Sequence, residues 1–145
     1  MAPSGSARNS TTVPVFVDTN VAVYALDADE PKRQRALAVM QRGPVISTQV
    51  VNEFLNVLLV KRKLDRSGAY PLARALMQGC DVISVTPAIT DQAMTLGERY
   101  RLGHWDSLIV AAALEADCET LYSDDLQDGQ VFDGRLTVKN PIAGS

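Results

Sequence analysis

Two cysteines, one histidine and one tryptophan in 145 residues leave little material for several common chemistries. Cys80 and Cys118 are too few and too differently placed for a disulfide framework or a thiolate zinc site. Each ends a helix-like segment, which suits a small reduced hydrophobe and a cytoplasmic setting. His104, beside a loop, is expected to be a polar surface residue rather than a general base. No apolar run approaches the roughly 18 residues of a membrane span. The opening MAPSGSARNSTT lacks the hydrophobic centre of a secretory signal, so residues 1–12 read as a disordered tail. Residues 142–145 read as a C-terminal tail, leaving a single domain over 13–141. Nor is there an excess of positive charge: 14 Lys and Arg against 17 Asp and Glu give a formal charge of −3. That excludes a general nucleic-acid coat, whose affinity comes from neutralised phosphates, but not a local basic rim. The basic groups at 31–35 and 61–63 read as solvated helix faces.

What is present is a succession of short apolar strands and longer helical segments. Strands are expected at 13–17, 44–47, 81–86, 119–123 and 136–140. Between them, apolar residues recur at helical spacing, as with Val50, Val51, Phe54, Leu55, Leu58 and Leu59. Thr48 is expected to cap that helix. Pro71 is tolerable only near the start of its own helix. Alternating strands and helices indicate right-handed βαβ units. The fold class is therefore α/β, with a short parallel sheet of four to five strands covered on both faces.

Acidic residues fall at telling places in that order. Asp18 ends the first strand, Glu53 lies among apolar neighbours one turn into its helix, Asp106 opens the helix at Trp105, and Asp124 and Asp125 follow the fourth strand. In an open parallel sheet such positions converge on the carboxyl edge. Each alone also has a plainer explanation: caps for Asp18, Asp106 and Asp124, and a solvated helix face for Glu53. Together, several carboxylates on one rim repel and resist joint ionisation. A divalent cation relieves that, and hard oxygen donors without nearby histidine or cysteine suit Mg²⁺ or Mn²⁺. Trp105, which precedes a buried helix, is expected in the core rather than as a platform for an RNA base.

The stretches VDTNVAVYALD, STQVVNEFLNVL, ERYRLGHWDSLIVAAALEADCETLYSDDLQDGQVFDG and TVKNP resemble the PIN-domain ribonucleases, above all the toxin branch of VapBC-type toxin–antitoxin pairs. The resemblance runs from Val13 to Pro141, and its motifs are specific in combination. It implies a three-layer α/β/α sandwich, a Mg²⁺- or Mn²⁺-dependent endoribonuclease acting on RNA, a homodimer and a small antitoxin partner. By motif, the family's acids fall on Asp18, Glu53, Asp106 and Asp125. Asp125 is preferred to Asp124 because the family's hydroxyl residue, here Ser123, stands two positions before the acid. Asp18 and Asp106 are expected to bind the metal, with Glu53 and Asp125 completing the site through waters or a second ion. Ser123 and Asn20 are expected to orient these groups, Thr19 to act as a cap, and Asp124 to add to the field. One departure is Gly103-His104, where many relatives carry a serine and an aromatic.

Other readings fit less well. A haloacid-dehalogenase-type phosphotransferase needs a second aspartate two residues after the first, where this chain has Asn20. A receiver domain needs an acidic pair after strand one and a lysine after the last main strand. A non-catalytic PIN-fold scaffold or RNA-binding module typically loses one of the acids, and all four are kept here. A DNA-directed nuclease shares the metal chemistry, but the acidic balance and the absence of an added DNA-binding module favour RNA.

Overall fold

A computed structural model describes residues 13–142. The elements run β1 (Val15–Val17), α1 (Thr19–Tyr24), α2 (Glu30–Met40), β2 (Val45–Ser47), α3 (Thr48–Asn56), α4 (Arg66–Gln78), β3 (Asp81–Ile83), α5 (Pro87–Tyr100), α6 (His104–Glu115), β4 (Thr120–Tyr122), β5 (Val131–Phe132) and β6 (Leu136–Lys139). A π-helical turn over Val57–Lys61 continues α3. The sheet order is β3-β2-β1-β4-β6-β5, parallel throughout except for the antiparallel pair β5–β6. From β1 the chain steps outward through β2 to β3, then crosses back to β4 on the other side of β1. With right-handed crossovers, α1–α4 cover one face and α5–α6 the other. The result is a three-layer α/β/α sandwich whose topological switch point lies between β1 and β4, where open sheets bind ligands.

Strands that short hold because they are buried on both faces: every residue of β1 and β2 is buried. Alanine-rich α6 lies deep, with Leu108 to Leu114 all buried. Its neighbour α5 approaches closely at Gly97, where a Cβ would come within 3.1 Å of Ser107 Oγ. A smaller apolar cluster joins Ala22 of α1 to Phe54 and Leu58 and to Ala69 and Ala73 of α4. The helix continues through Pro71, its sixth residue, beyond the first turn where the sequence placed its tolerance.

Three expectations change. The segment 124–135, read from sequence as turn-rich, contains a sixth strand. Asp133 (φ 51°) and Gly134 (φ 68°) form a two-residue turn closed by Arg135 N–H to the Phe132 carbonyl at 3.0 Å, the Asp-Gly hairpin geometry. Ser47, not Thr48, caps α3 by accepting the Val50 N–H; Thr48 Oγ1 accepts the Val85 N–H at 3.2 Å instead. Ile142, assigned to the tail by sequence, is 6% exposed and packs into the core. The expected tail over residues 1–12, like residues 143–145, lies outside the described residues.

The added hairpin is bolted to α5. Phe132 is fully buried, with the Tyr100 ring edge-on at 4.9 Å, and the Tyr100 hydroxyl both accepts the Asp133 N–H and donates to its carboxylate. Phe132→Ala should cost about 3 kcal/mol of stability in urea unfolding. A loss under about 1 kcal/mol would mean that β5 is peripheral to the core.

Candidate active site at the carboxyl edge of the sheet

The switch point gathers its side chains because β1 and β4 end side by side. Asp18 N–H bonds the Tyr122 carbonyl at 2.9 Å, so the ladder runs one residue past β1 and carries a carboxylate into the core. Asp18 is 4% exposed. Its Oδ1 accepts the Thr19 N–H at 2.7 Å, and its Oδ2 accepts the Ser123 hydroxyl at 2.8 Å. It is the N-cap of α1, so the capping role and membership of the acidic group coexist in one residue.

Around it the side chains form one connected network. Asn20 Nδ2 donates to Asp125 Oδ2 at 2.9 Å and reaches Asp18 Oδ2 at 3.4 Å, while its Oδ1 accepts the Asp124 N–H at 3.0 Å. Ser123 Oγ, besides donating to Asp18, accepts the N–H groups of Asp125 and Leu126. One hydroxyl and one amide thus tie the loop after β4 to the loop after β1. Glu53 joins from α3: its Oε1 accepts the Thr19 hydroxyl at 2.6 Å, and its Oε2 accepts Gln49 Nε2 at 3.0 Å. Thr19, expected to be a cap, therefore positions Glu53. Asp124 turns to Tyr24, whose hydroxyl donates to it at 2.8 Å; that bond pushes the phenol up to about 12. Thr19's role, Gln49 and Tyr24 escaped sequence reasoning, although Gln49 and Glu53 at i, i+4 on one helix offered a signal.

Asp106 stands across this network as the third residue of α6, whose N-cap is Gly103 without a side-chain bond. It is not the cap of that helix. Burial, then the charges of Asp125 and Glu53, raise its carboxyl above the usual range. The same charges act on Asp18. Burial chiefly, opposed by the Ser123 and Thr19 bonds and aided by Asp125 and Glu53, pushes it up to about 6. Asp125 and Glu53 thus act on both Asp18, the cap of α1, and Asp106, in the first turn of α6.

Trp105 contradicts its expected place in the core: it is 66% exposed on the rim, edge-on to His104 at 5.3 Å. The first turn of α6 precedes the point where the helix becomes buried: burial begins at Ser107, and Leu108 is its first buried apolar residue.

A family model of the PIN domain matches residues 15–128, most of the chain. The chain belongs to the PIN-domain family. No curated protein matches it significantly in sequence. Among solved structures, this PIN domain is similar to a toxin–antitoxin complex from Klebsiella pneumoniae, at 21% identity and TM-score 0.66, over 88% of this chain and 97% of that one. It is also similar to FitAcB from Neisseria gonorrhoeae, at 18% identity and TM-score 0.66, over 88% and 97% of the two chains. A third likeness is to VapC20 of Mycobacterium tuberculosis, a sarcin–ricin-loop-cleaving toxin, at 20% identity and TM-score 0.62, over 77% and 89%. These similarities establish the shared fold.

The donor set of this PIN domain fits a hard divalent ion: carboxylates only, mutually repelling, with Asp18 costly to ionise alone. Among the described residues, no three of the His, Cys, Asp and Glu side chains stand close enough together to hold a metal ion as placed.

Buried Asp18 makes a pH prediction for the metal-free protein. The unfolded carboxyl releases its proton near 3.8, the folded one near about 6, so the folded state binds more protons between these values. Stability contributed by protonated Asp18 is then full below pH 4 and lost as pH rises through 6. In EDTA, the stability of the parent minus that of Asp18→Asn should fall by on the order of 2 kcal/mol between pH 4 and pH 7. A flat difference would show that Asp18 ionises without penalty.

Proposed function

We propose that this PIN domain is a Mg²⁺- or Mn²⁺-dependent endoribonuclease, the toxin of a toxin–antitoxin pair. The observation that carries the reading is the hydrogen-bond network that gathers Asp18, Asp125 and Glu53 at the switch point through Asn20, Ser123 and Thr19, beside Asp106, whose carboxyl Asp125 and Glu53 help to raise. Asp18 and Asp106 would hold the ion, and Glu53 and Asp125 would hold its waters or a second ion. Such an ion lowers the pKa of water, polarises the phosphoryl group and stabilises the leaving oxygen.

The chain's own residues have separable tasks. Ser123 keeps one Asp18 oxygen oriented, and Thr19 N–H the other, so that carboxylate cannot rotate out of the cleft. Asn20 fixes Asp125 by donating to one of its oxygens and leaves the other free to accept. Thr19 and Gln49 hold Glu53 by both oxygens, which suits an acid that binds water rather than one that swings. Acids restrained in this way are preorganised, and little reorganisation is needed when charge develops on the phosphate. His104 has no part in this scheme.

The resemblance supports three further parts of the proposal: a homodimer, a cytoplasmic location, and a small antitoxin whose basic side chain would be drawn to the acidic cleft. No helix among the described residues is long and apolar enough to cross a membrane.

Purified protein incubated with structured RNAs should cleave in Mg²⁺ or Mn²⁺ and not in EDTA. Asp18→Asn and Asp106→Asn should each lose about 100-fold or more of the rate, and His104→Ala should keep most of it. Cleavage that survives EDTA would contradict the metal-dependent scheme. No cleavage of any RNA in either metal would favour a scaffold.

A further inference from the structure

Beside the acids, between α3 and the start of α6, lies an open cavity of about 490 Å³. Its two sides differ in chemistry. Gln49, Asn52, Glu53 and Asn56, spaced i, i+3, i+4 and i+7, form a polar stripe along α3. Facing them are the apolar side chains of Val85, Trp105 and Leu108. The Val85 wall is held in place by the bond from its N–H to Thr48 Oγ1. One apolar wall with an exposed indole and one wall of amides match the flat face and the hydrogen-bonding edge of a nucleobase.

Gln49 adds an independent mark. Its Nε2 donates to Glu53 Oε2 at 3.0 Å and to the Trp105 carbonyl at 3.1 Å. Both partners are acceptors, so the amide cannot be turned round, and Oε1 is left as an acceptor. That oxygen is buried and, among the described residues, is the one buried side-chain nitrogen or oxygen without a hydrogen-bond partner. A buried acceptor left unmatched is costly, and a ligand N–H would satisfy it. Every nucleobase carries such a donor on its pairing edge. Asn56, seven residues on along the same stripe, offers a second amide.

We infer that this cavity is a nucleobase subsite, in which one unpaired base of the RNA stacks on Trp105 and presents its edge to Gln49 and Asn56. The inference rests on the nuclease reading for its substrate class, and it adds a basis for choosing where the strand is cut. Glu53 lies in both the cavity wall and the acid network, and Asp106 follows Trp105 directly. A base seated on the indole therefore leaves its own phosphate at the helix start that carries Asp106. Amide selection and stacking, rather than backbone charge, would then set the preference, in keeping with a chain of net charge −3.

Trp105 is the only tryptophan in the chain, so its emission reports on the cavity alone. The test titrates pentamers of uridine, adenosine, cytidine and guanosine, and an abasic ribose–phosphate pentamer, into Asp106→Asn protein in EDTA. At least one base-bearing pentamer should quench Trp105 saturably, and the abasic one should not. By anisotropy of end-labelled RNA, Trp105→Ala and Asn56→Ala in the same background should each bind that pentamer about 10-fold more weakly. Trp105 and Asn56 are both exposed, so neither change threatens the fold. No quenching by any pentamer, or equal quenching by the abasic one, overturns the subsite. Emission that is blue-shifted and turns red on dilution would assign the cavity to a second copy of the chain and also overturn it. Because the titration needs no cleavage, quenching without nuclease activity would sink the nuclease reading and leave the subsite standing. Cleavage that Trp105→Ala and Asn56→Ala leave unaltered in rate and cutting position would do the reverse.

Discussion

Asp18 is a carboxylate placed where the sheet core ends, and most of the architecture around it answers the cost of that placement. The strand that carries it is three residues long and wholly buried, so the side chain following it cannot reach water by itself. Two donors, the Thr19 N–H and the Ser123 hydroxyl, offset part of its desolvation. They do not offset all of it, and the proton is held up to about pH 6. Asp125 and Glu53 add to the penalty rather than relieving it. A fold selected only for stability would have placed an asparagine or a serine there, with nothing lost as a cap.

The hydrogen-bond network explains how like charges are kept together. Asn20 bridges two loops that the chain separates by about a hundred positions, and its neighbour Thr19 reaches across to α3. Neutral donors between carboxylates hold them in fixed relation without cancelling their charge, so the electrostatic strain is retained for a ligand to discharge. The switch point supplies the geometry: β1 and β4 are adjacent in the sheet, so the residues after them meet whatever the length of chain between. The rim extends from this centre toward α3 and Trp105, where charge gives way to amides and an aromatic face. A strand of RNA, with charged backbone and flat bases, presents that same pairing of chemistries.

Much of this was legible before any coordinates. The apolar run before Asp18, the strand before Ser123 and the alternation of strands with helices were enough to place these residues on one edge of a parallel sheet. Periodicity does not reveal how a side chain is spent, however. Thr19, Thr48 and Ser47 are all good caps by residue type, but only Ser47 is used that way, because a neighbour in space claims each of the other two. Trp105 misled because apolar character was averaged over a helix whose first turn projects from the core. The β5–β6 hairpin was hidden by its brevity: two residues of strand give no alternation to detect, although Asp133-Gly134 between Val131-Phe132 and the strand from Leu136 was a usable sign. Ile142 was lost to the assumption that chain ends fray, whereas its carbonyl accepts from Arg35 at 3.2 Å.

The central claim is that the four acids form one site for one kind of ion, and it can be read directly without any substrate. Amide resonances of the ¹⁵N-labelled protein would be followed as trace Mn²⁺ is added, since the paramagnetic ion broadens only nuclei near its seat. Broadening should be centred on Asp18, Thr19, Ser123, Asp125 and Asp106, should spare exposed acids such as Asp91 on α5, and should be reversed by Mg²⁺. Weak broadening spread evenly over every surface carboxylate, with Asp18 no more affected than Asp91, would contradict the account.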